Sequence, residues 1–312
     1  MMALTPIEAA HIADKIYAVL ESTLAFLGER KKSFEVIDQF EGETGNITIA
    51  RWLSSGNWLQ RKIAAKSKRF AAEKSAMGAI AKRNQHEILI AVRGTITGAD
   101  QATDANASKT ACNHLGQVHS GFLHTYRSFE PVIQKHKALF PDAAMIHCVC
   151  HSLGGALATL SASFIKIEYG GRLVKLYTFG SPRVGDKTFA RKVTQSLGKN
   201  NIYRVYHDCD PVSKVPLNGH HWAVPSAYEN YFHVPMAGES EDTAYRIIFN
   251  AGTSSNSLKT RLAHMANAHR MTNYINSVRG KSWSSLKASA RIPSPQNAST
   301  THSAAQTGES HG

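Results

Sequence analysis

Ser152 is the residue whose neighbours in sequence most clearly indicate a chemically reactive side chain. An apolar run over 144–150 predicts a buried strand that ends just before it, and a helical stretch follows from Leu153 to about Glu168. A strand, a tight turn and a helix in this order present a serine hydroxyl above the edge of a sheet. The turn would reject large side chains, and the helix begins with small residues: Gly154, Gly155, Ala156 and Ala158. We interpret Ser152 as a nucleophile; the alternative is a serine that merely caps a helix.

A nucleophilic serine needs partners, because its hydroxyl is weakly reactive until a general base takes the proton and a carboxylate orients that base. The N-terminal end of the helix that follows would favour negative charge on the attacked oxygen. The 16 histidines and 23 acidic residues leave many candidates for the partners. Cys150 is a poor alternative nucleophile, since its place in the predicted strand would bury it.

Metal and cofactor chemistry are not indicated. Cys148 and Cys150 are too close together for one half of a zinc site, and no second pair follows. No glycine pattern of the Walker or dinucleotide-binding type follows a predicted strand. We expect no metal and no cofactor. These two cysteines are also poorly placed for a mutual disulfide, and Cys112 and Cys209 have no evident partner, so we expect four reduced thiols.

Strands and helices alternate along the segment that must position Ser152. Further strands are predicted at four places: 77–82, 86–92, 173–179 and 202–206. The first two flank Asn84-Gln85 as a hairpin, and further helices are predicted over 187–197 and 260–278. This alternation implies the α/β class, with a mostly parallel central sheet covered by helices on both faces.

The two ends of the chain differ in character. Thr5-Pro6-Ile7-Glu8 predicts the start of a docked helix, with Thr5 as N-cap and Glu8 closing a capping box. The first thirty residues lack the basic head and apolar run of a secretory signal. No apolar run in the sequence is long enough to span a bilayer. Residues 282–312 lose periodicity, which predicts a disordered tail after one domain over 1–281. We expect a cytoplasmic protein, or one exported by a signal-independent route.

Charge bears on the partners. The 312 residues include 36 Lys+Arg and 23 Asp+Glu, a formal net charge of +13, while 42% apolar residues exclude wholesale disorder. A protein with this excess of positive charge is attracted to polyanions, including an anionic membrane surface. The basic and apolar residues that interleave from Asn57 to Lys74 fit either an amphipathic helix on an anionic bilayer or a solvated helix face. We expect no specific nucleic-acid binding, because no nucleic-acid motif is recognisable.

Four motifs occur in order along the chain: Val92-Arg93-Gly94-Thr95, Val118-His119-Ser120-Gly121-Phe122, the turn around Ser152, and Tyr177-Thr178-Phe179-Gly180-Ser181-Pro182-Arg183-Val184-Gly185. Together they resemble the fungal-type class 3 lipases, an α/β-hydrolase family with a Ser-Asp-His triad. The resemblance covers roughly residues 75–280. One departure is Cys150, which stands where the family usually has Gly and is small enough to fit there.

The resemblance implies which residue is the acid of the triad. In this family an Asp after a strand is followed by an apolar residue, Val, and then Pro. Asp210 matches this pattern, with Val212 and Pro216 in register, and Asp208 is the competitor.

The base is implied in the same way. It precedes the last helix and is followed five residues later by Tyr, which fits His269 but not His264. His207, His220 and His221 are then loop or packing histidines.

The family also implies an oxyanion hole and a lid. The oxyanion donors would be the backbone N–H groups of Leu153 and Thr95. The lid would span 96–116, where Gln101 and Ala105 replace the Trp and Leu that are common in the family. Such a small, polar lid predicts weak activation at an oil interface and a preference for dispersed, short-chain or polar-headed esters.

Taken together, these implications describe a serine carboxylic-ester hydrolase that acts on lipid or short-chain esters through an acyl-enzyme. One alternative is a phospholipase A1 or lysophospholipase acting on anionic membranes, such as a secreted bacterial effector. An alternative of another class is a non-catalytic homologue that binds lipid or polyanions through its basic surface. The sequence gives no indication of oligomeric state.

Overall fold

A mixed β-sheet forms the centre of the molecule, with helices on both of its faces. The computed structural model describes residues 3–21, 26–27, 33–44, 73–84, 86–94, 109–207, 210, 212–214, 245–247 and 267–289. The strands are β1 (Phe26–Leu27), β2 (Phe34–Thr44), β3 (Glu73–Arg83), β4 (Glu87–Val92), β5 (Lys109–Ala111), β6 (Gln117–His119), β7 (Met145–His151), β8 (Val174–Phe179), β9 (Ile202–His207) and β10 (Tyr245–Ile247). The α-helices are α1 (Pro6–Glu21), α2 (Ser120–Lys135), α3 (Gly154–Ile167), α4 (Lys187–Leu197), α5 (Met271–Val278) and α6 (Trp283–Ser289).

Strand order places several carboxyl ends at one edge of the sheet. Within the described residues the sheet has eight strands in the order β1-β2-β3-β4-β7-β8-β9-β10. The pairs from β1 to β4 are antiparallel, and the pairs from β4 through β7, β8 and β9 to β10 are parallel. This confirms the predicted α/β class with its mostly parallel sheet. Ligands of such open sheets bind outside the carboxyl ends of the parallel strands.

Side chains of the central strands alternate between two apolar cores. In β4, Ile88 and Ile90 belong to the core under α2, α3 and α4, whereas Leu89 and Ala91 belong to the core under α1, α5 and α6. All six residues of β4 are buried. A strand buried on both faces reads as a continuous apolar run, which is why the sequence indicates it so clearly.

The predicted start of α1 is confirmed. The Thr5 N–H donates to the Glu8 carboxylate at 2.9 Å, and the Glu8 N–H donates to the Thr5 hydroxyl at 3.3 Å. Two of the helix-end donors are thereby satisfied. The predicted hairpin is also confirmed, because β3 and β4 pair antiparallel with Arg83 opposite Glu87.

One helix prediction is wrong in its extent. A continuous helix over 260–278 is interrupted at His269 and Arg270, and α5 begins only at Met271. Arg270 takes an extended backbone, with φ −69° and ψ 135°. The His269 carbonyl accepts from the His151 side chain at 2.8 Å instead of from a helical N–H. Residues 260–266 lie outside the described part.

The predicted disordered tail from 282 is wrong for its first residues. Residues 283–289 form α6, in which Leu286 is buried. The Trp283 indole donates to the Leu4 carbonyl at 2.7 Å, so α6 docks beside the start of α1. A Ser-rich composition conceals these contacts of Leu286 and Trp283. Residues 290–312 lie outside the described part.

The predicted lid segment is shorter than 96–116. Residues 109–116 contribute to a two-stranded ribbon, β5 with β6, and Cys112 and Leu115 are buried in the core. Only 96–108 remains for a lid, and it lies outside the described residues, as does the basic segment except Glu73 and Lys74, which begin β3.

Three of the cysteines, at 112, 148 and 150, are free and buried. Cys209 falls outside the described ranges. No helix in the described part of the chain has the length and apolar character needed to cross a bilayer.

His147 is a buried histidine at the centre of β7. It is 0% exposed and lies edge-on to the Phe34 ring, with the Tyr177 ring on another side. Burial, reinforced by the charges of Arg83 and Lys175, lowers the pKa of His147 to about 3. The unfolded chain therefore takes up this proton at a higher pH than the folded protein does.

His147 should make the protein sensitive to acid. Its contribution to the free energy of unfolding is fully present above the unfolded pKa of about 6.5 and is lost as pH falls towards 3, by about 2 kcal/mol at pH 5. We expect the drop in thermal midpoint between pH 7 and pH 5 to be smaller in His147→Leu than in wild type. His114→Gln, on an exposed side chain, is the matched control. Equal drops in all three proteins would contradict this account.

Candidate active site

Ser152 occupies a turn in which its backbone is left-handed, with φ at 59°. This conformation costs a residue with a side chain about 1 kcal/mol or more, so its neighbours must fix it. The Ser152 N–H donates to the Phe179 carbonyl at 2.9 Å, and the Ser152 carbonyl accepts from Gly155 at 2.8 Å. The turn is thereby tied to β8 on one side and to α3 on the other.

The small residues after Ser152 are needed for the reason that the sequence indicates. A Cβ on Gly154 would lie 2.7 Å from the carbonyl oxygens of Val92 and Arg93, and one on Gly155 would lie 2.3 Å from the Ser181 side chain. Real Cβ atoms essentially never come that close to other heavy atoms. The helix α3 can therefore start at this place only with glycine.

The structure brings Ser152, Asp210 and His269 together, although 58 or more residues separate them in sequence. His269 Nε2 lies 2.8 Å from Ser152 Oγ, and His269 Nδ1 lies 2.8 Å from Asp210 Oδ2. The His269 side chain is 13% exposed and that of Asp210 is fully buried. With a hydroxyl, an imidazole and a carboxylate in this order, the imidazole can take the hydroxyl proton while the carboxylate orients the imidazole.

Asp210 is held as a carboxylate. Burial by itself would raise the pKa of Asp210, but the hydrogen bond and charge of His269, with bonds from Tyr274 and the Val212 N–H, lower it overall. The Val212 N–H donates to Oδ1 at 2.9 Å and the Tyr274 hydroxyl donates to Oδ2 at 2.5 Å. The negative charge is therefore available to orient His269 and to stabilise its protonated form.

Two residues of this site were not assigned a role from the sequence. Tyr274 served only to mark His269, yet its hydroxyl bonds Asp210, and burial raises its pKa, which keeps it a donor. Gly180 has φ at 58°, and a Cβ there would lie 2.6 Å from Asp210 Oδ2 and 3.1 Å from His269 Nδ1. The signals were the tyrosine spacing and the glycine that ends β8.

The oxyanion predictions are described only in part. Leu153 stands at the N-terminal end of α3, where backbone N–H groups point away from the helix and favour negative charge. Thr95 lies outside the described residues, as do Asp208, His220, His221 and His264. Gly94, the residue before Thr95, lies beside Ser152: a Cβ on Gly94 would be 2.8 Å from Ser152 Cβ.

Other potentially reactive side chains near the site have structural roles. Cys150 is buried in β7, where its thiol donates to the Tyr177 carbonyl at 3.3 Å, and burial raises its pKa, so it remains an unreactive thiol. The His207 ring lies between the Ala268 carbonyl and the Ser277 hydroxyl and stacks on Tyr274. Among the described residues, no group of three or more His, Cys, Asp or Glu side chains could hold a metal ion.

Comparison with known proteins gives relatives for the region around this site. The family described as Lipase (class 3) matches residues 89–220. Secreted mono- and diacylglycerol lipase 1 of Fusarium solani is 36% identical over 136 residues, which cover 42% of this chain and 39% of that protein. Phospholipase A(1) DAD1, chloroplastic, of Arabidopsis thaliana is 26% identical over 196 residues, which cover 55% of this chain and 43% of that protein. The chain thus spans about two fifths of the length of each of these two curated relatives.

A solved structure shares the fold. The crystal structure of the lipase from Rhizopus microsporus var. chinensis aligns with a TM-score of 0.52 and 20% identity, covering 86% of this chain and 84% of that one. This likeness places the sheet and its helices in the α/β-hydrolase fold. The family match, which includes the turn at Ser152 and the segment around Asp210, confirms the resemblance to the class 3 lipases over residues 89–220.

Proposed function

We propose that this protein is a serine carboxylic-ester hydrolase, a lipase or esterase in which Ser152 is the nucleophile, His269 the general base and Asp210 the residue that orients it. The observation that carries the proposal is the continuous hydrogen-bonded chain from Asp210 through His269 to Ser152, with both distances at 2.8 Å. Residues of these three types joined in this order act as a unit in acyl transfer.

The geometry supports a two-step reaction. Ser152 Oγ attacks the ester carbonyl carbon while His269 Nε2 takes the hydroxyl proton, and the N–H of Leu153, together with that proposed for Thr95, stabilises the oxyanion. The tetrahedral intermediate collapses, the C–O bond to the alcohol breaks, and His269 returns the proton to the leaving alkoxide. Water then attacks the acyl-enzyme with His269 as base, which releases the carboxylic acid and restores Ser152.

Lipid or short-chain esters are the substrates we propose, in line with the Fusarium solani relative, whose name states activity on mono- and diacylglycerols. Phospholipids are the second candidate. Two observations favour them: the relative named phospholipase A(1), and the net charge of +13, which would attract the protein to anionic bilayers.

Ser152→Ala should abolish hydrolysis. We expect the wild-type protein to react with a fluorophosphonate probe and to hydrolyse p-nitrophenyl esters, and kcat to fall by about 10⁴-fold or more in the variant. A panel of p-nitrophenyl esters and glycerides from C2 to C16, with phosphatidylcholine and phosphatidylglycerol vesicles, then ranks the two substrate classes. Faster cleavage of phosphatidylglycerol than of any glyceride would favour the phospholipase.

Ser161→Ala is the matched control for this experiment, because the Ser161 hydroxyl lies in α3, the helix that follows Ser152, and bonds only the Leu157 carbonyl at 2.9 Å among the described contacts. It should retain probe labelling and turnover. A folded wild-type protein that is neither labelled nor active would reject the hydrolase and leave the non-catalytic lipid- or polyanion-binding homologue.

Tyr274→Phe should lower kcat about tenfold with little change in KM, because it removes a charged hydrogen bond worth about 1.5–3 kcal/mol. The change also raises the pKa of Asp210, so the activity that depends on the ionised carboxylate is lost at a higher pH as the solution is acidified. The measurement is kcat between pH 4 and pH 8, per phosphonate-titrated site. Tyr203→Phe, in β9, is the control. An acid limb in Tyr274→Phe that is identical to wild type would count against this role.

We further propose that hydrolysis depends little on an oil interface, because Gln101 and Ala105 replace the Trp and Leu that are common in the family's lid and make that stretch less apolar. Covering about 100 Å² of apolar surface is worth only about 2.5 kcal/mol, and a polar lid covers less. We expect the rate on a short-chain triglyceride to rise no more than about twofold across its solubility limit. A jump of tenfold or more would contradict the proposal.

A further inference from the structure

The hydroxyl of Tyr17, on α1, joins two separate parts of the site. It accepts from the Gly94 N–H at 3.0 Å and lies 3.3 Å from Nδ1 of His151. On the other side of the same ring, His151 Nε2 lies 2.8 Å from the carbonyl oxygen of His269. Four groups are thus joined in a row from the end of β4 to the main chain of His269.

The direction of the donors in this row is determined. His151 Nε2 faces a carbonyl oxygen, which only accepts, so Nε2 carries the proton. Burial lowers the pKa of His151 to about 3, with the charge of His269 as a further cause, so near neutral pH the ring has one proton and Nδ1 is an acceptor. Burial also raises the pKa of Tyr17 to about 12, so its hydroxyl is a donor. Every hydrogen bond therefore runs the same way, from Gly94 to Tyr17 to His151 to His269.

Packing ties the same row to the reacting side chains. The His151 ring lies against the His269 ring, with centroids 4.8 Å apart, and edge-on to Tyr274 at 6.0 Å. Gly94 lies between the Tyr17 hydroxyl and Ser152, because a Cβ there would be 2.9 Å from the first and 2.8 Å from the Cβ of the second. A shift of Tyr17 would therefore move Gly94 and also the His151 ring that packs against His269.

We propose that Tyr17 and His151 are positioning residues that hold the main chain of His269 and the strand end at Gly94 in register with Ser152. The inference deepens the proposed ester hydrolysis and rests on it. Neither side chain is assigned contact with the substrate. Their effect is on the placement of the base and of residue 95, the proposed oxyanion donor.

Loss of this row should affect turnover more than binding. Without the Tyr17 hydroxyl, Gly94 loses its acceptor and His151 Nδ1 loses its donor, so the His151 ring is held less firmly beside the His269 carbonyl. Misplacement of a catalytic group by a fraction of an ångström to about 1 Å lowers rates by up to about a hundredfold. Ground-state ester binding does not depend on the placement of the base.

Tyr17→Phe tests the proposal against a close control, Tyr177→Phe. The Tyr177 hydroxyl is also buried and also accepts a backbone N–H, that of Leu4 at 3.1 Å, and it belongs to the same core without touching the site. We expect kcat on p-nitrophenyl butyrate to fall at least about tenfold in Tyr17→Phe with KM within twofold, and to stay within twofold of wild type in Tyr177→Phe. Rates are expressed per phosphonate-titrated site, so unfolded protein does not count.

Two substitutions at His151 separate the halves of the row. His151→Gln keeps a donor near the position of Nε2 but places its acceptor oxygen away from the Tyr17 hydroxyl. His151→Asn keeps an acceptor near Nδ1 and does not reach the His269 carbonyl. Because Tyr17 acts through His151, we expect the double variant Tyr17→Phe/His151→Gln to lose little more kcat than Tyr17→Phe alone. Retention of more kcat in His151→Gln than in His151→Asn would identify the contact with the His269 carbonyl as the more important half.

The outcomes distinguish failure of the positioning role of Tyr17 and His151 from failure of the proposed hydrolase function. Wild-type activity that depends on Ser152, combined with equal losses in Tyr17→Phe and Tyr177→Phe, a loss confined to KM, or additive losses in the double variant, would overturn the positioning role and leave the hydrolase standing. Absence of Ser152-dependent activity in the folded wild type would overturn both.

Discussion

The contact that the rest of the site depends on is the close approach of the Ser152 turn to the strands on either side. Carbonyl oxygens of Val92 and Arg93 and the side chain of Ser181 occupy the space where larger residues at 154 and 155 would have to fit. In exchange, the backbone at Ser152 is kept left-handed and its hydroxyl emerges at the carboxyl edge of the sheet. Relaxing this contact would let the backbone return to a commoner conformation and would turn the hydroxyl away from His269.

Parallel pairing explains why residues so distant in sequence meet at this edge. Val92 lies opposite Cys150, and His151 lies opposite Phe179, so the ends of β4, β7 and β8 are level with one another. Gly94, Ser152 and Gly180 each follow one of these ends within two residues. Asp210 follows β9, the next strand across. The sheet thus fixes four of the backbone positions, and only His269 comes from outside it, which is why its main chain and its ring both require separate support.

Much of this arrangement could be predicted from the sequence, because continuous apolar strands and a glycine-rich helix start leave local signals. The bounds of α3 and α4 differ from prediction by a residue or less, and the turn at Ser152 was indicated by the apolar strand before it and the small residues after it. The helix α2 was missed although Phe122, Tyr126, Phe129 and Ile133 recur at helical spacing on its buried side. Its many polar residues and Pro131 obscure that period.

Other features could not be predicted from local pattern. The break before α5 exists because His269 bonds to Ser152, Asp210 and His151 at once, and no window of sequence contains those partners. The Tyr17–His151 contact joins residues 134 positions apart, and α6 is stabilised by Leu4 at the opposite end of the chain. Such polar contacts form only after the sheet and helices have packed, so neither local sequence pattern nor composition indicates them.

Leu4 illustrates how far this dependence reaches. Its N–H donates to the Tyr177 hydroxyl and its carbonyl accepts from Trp283, so a strand of the sheet and the last described helix both hold the segment from which α1 departs. That helix carries Tyr17 to the site. Because two contacts hold this segment, from residues 173 and 279 positions away in sequence, losing one of them leaves α1 anchored by the other.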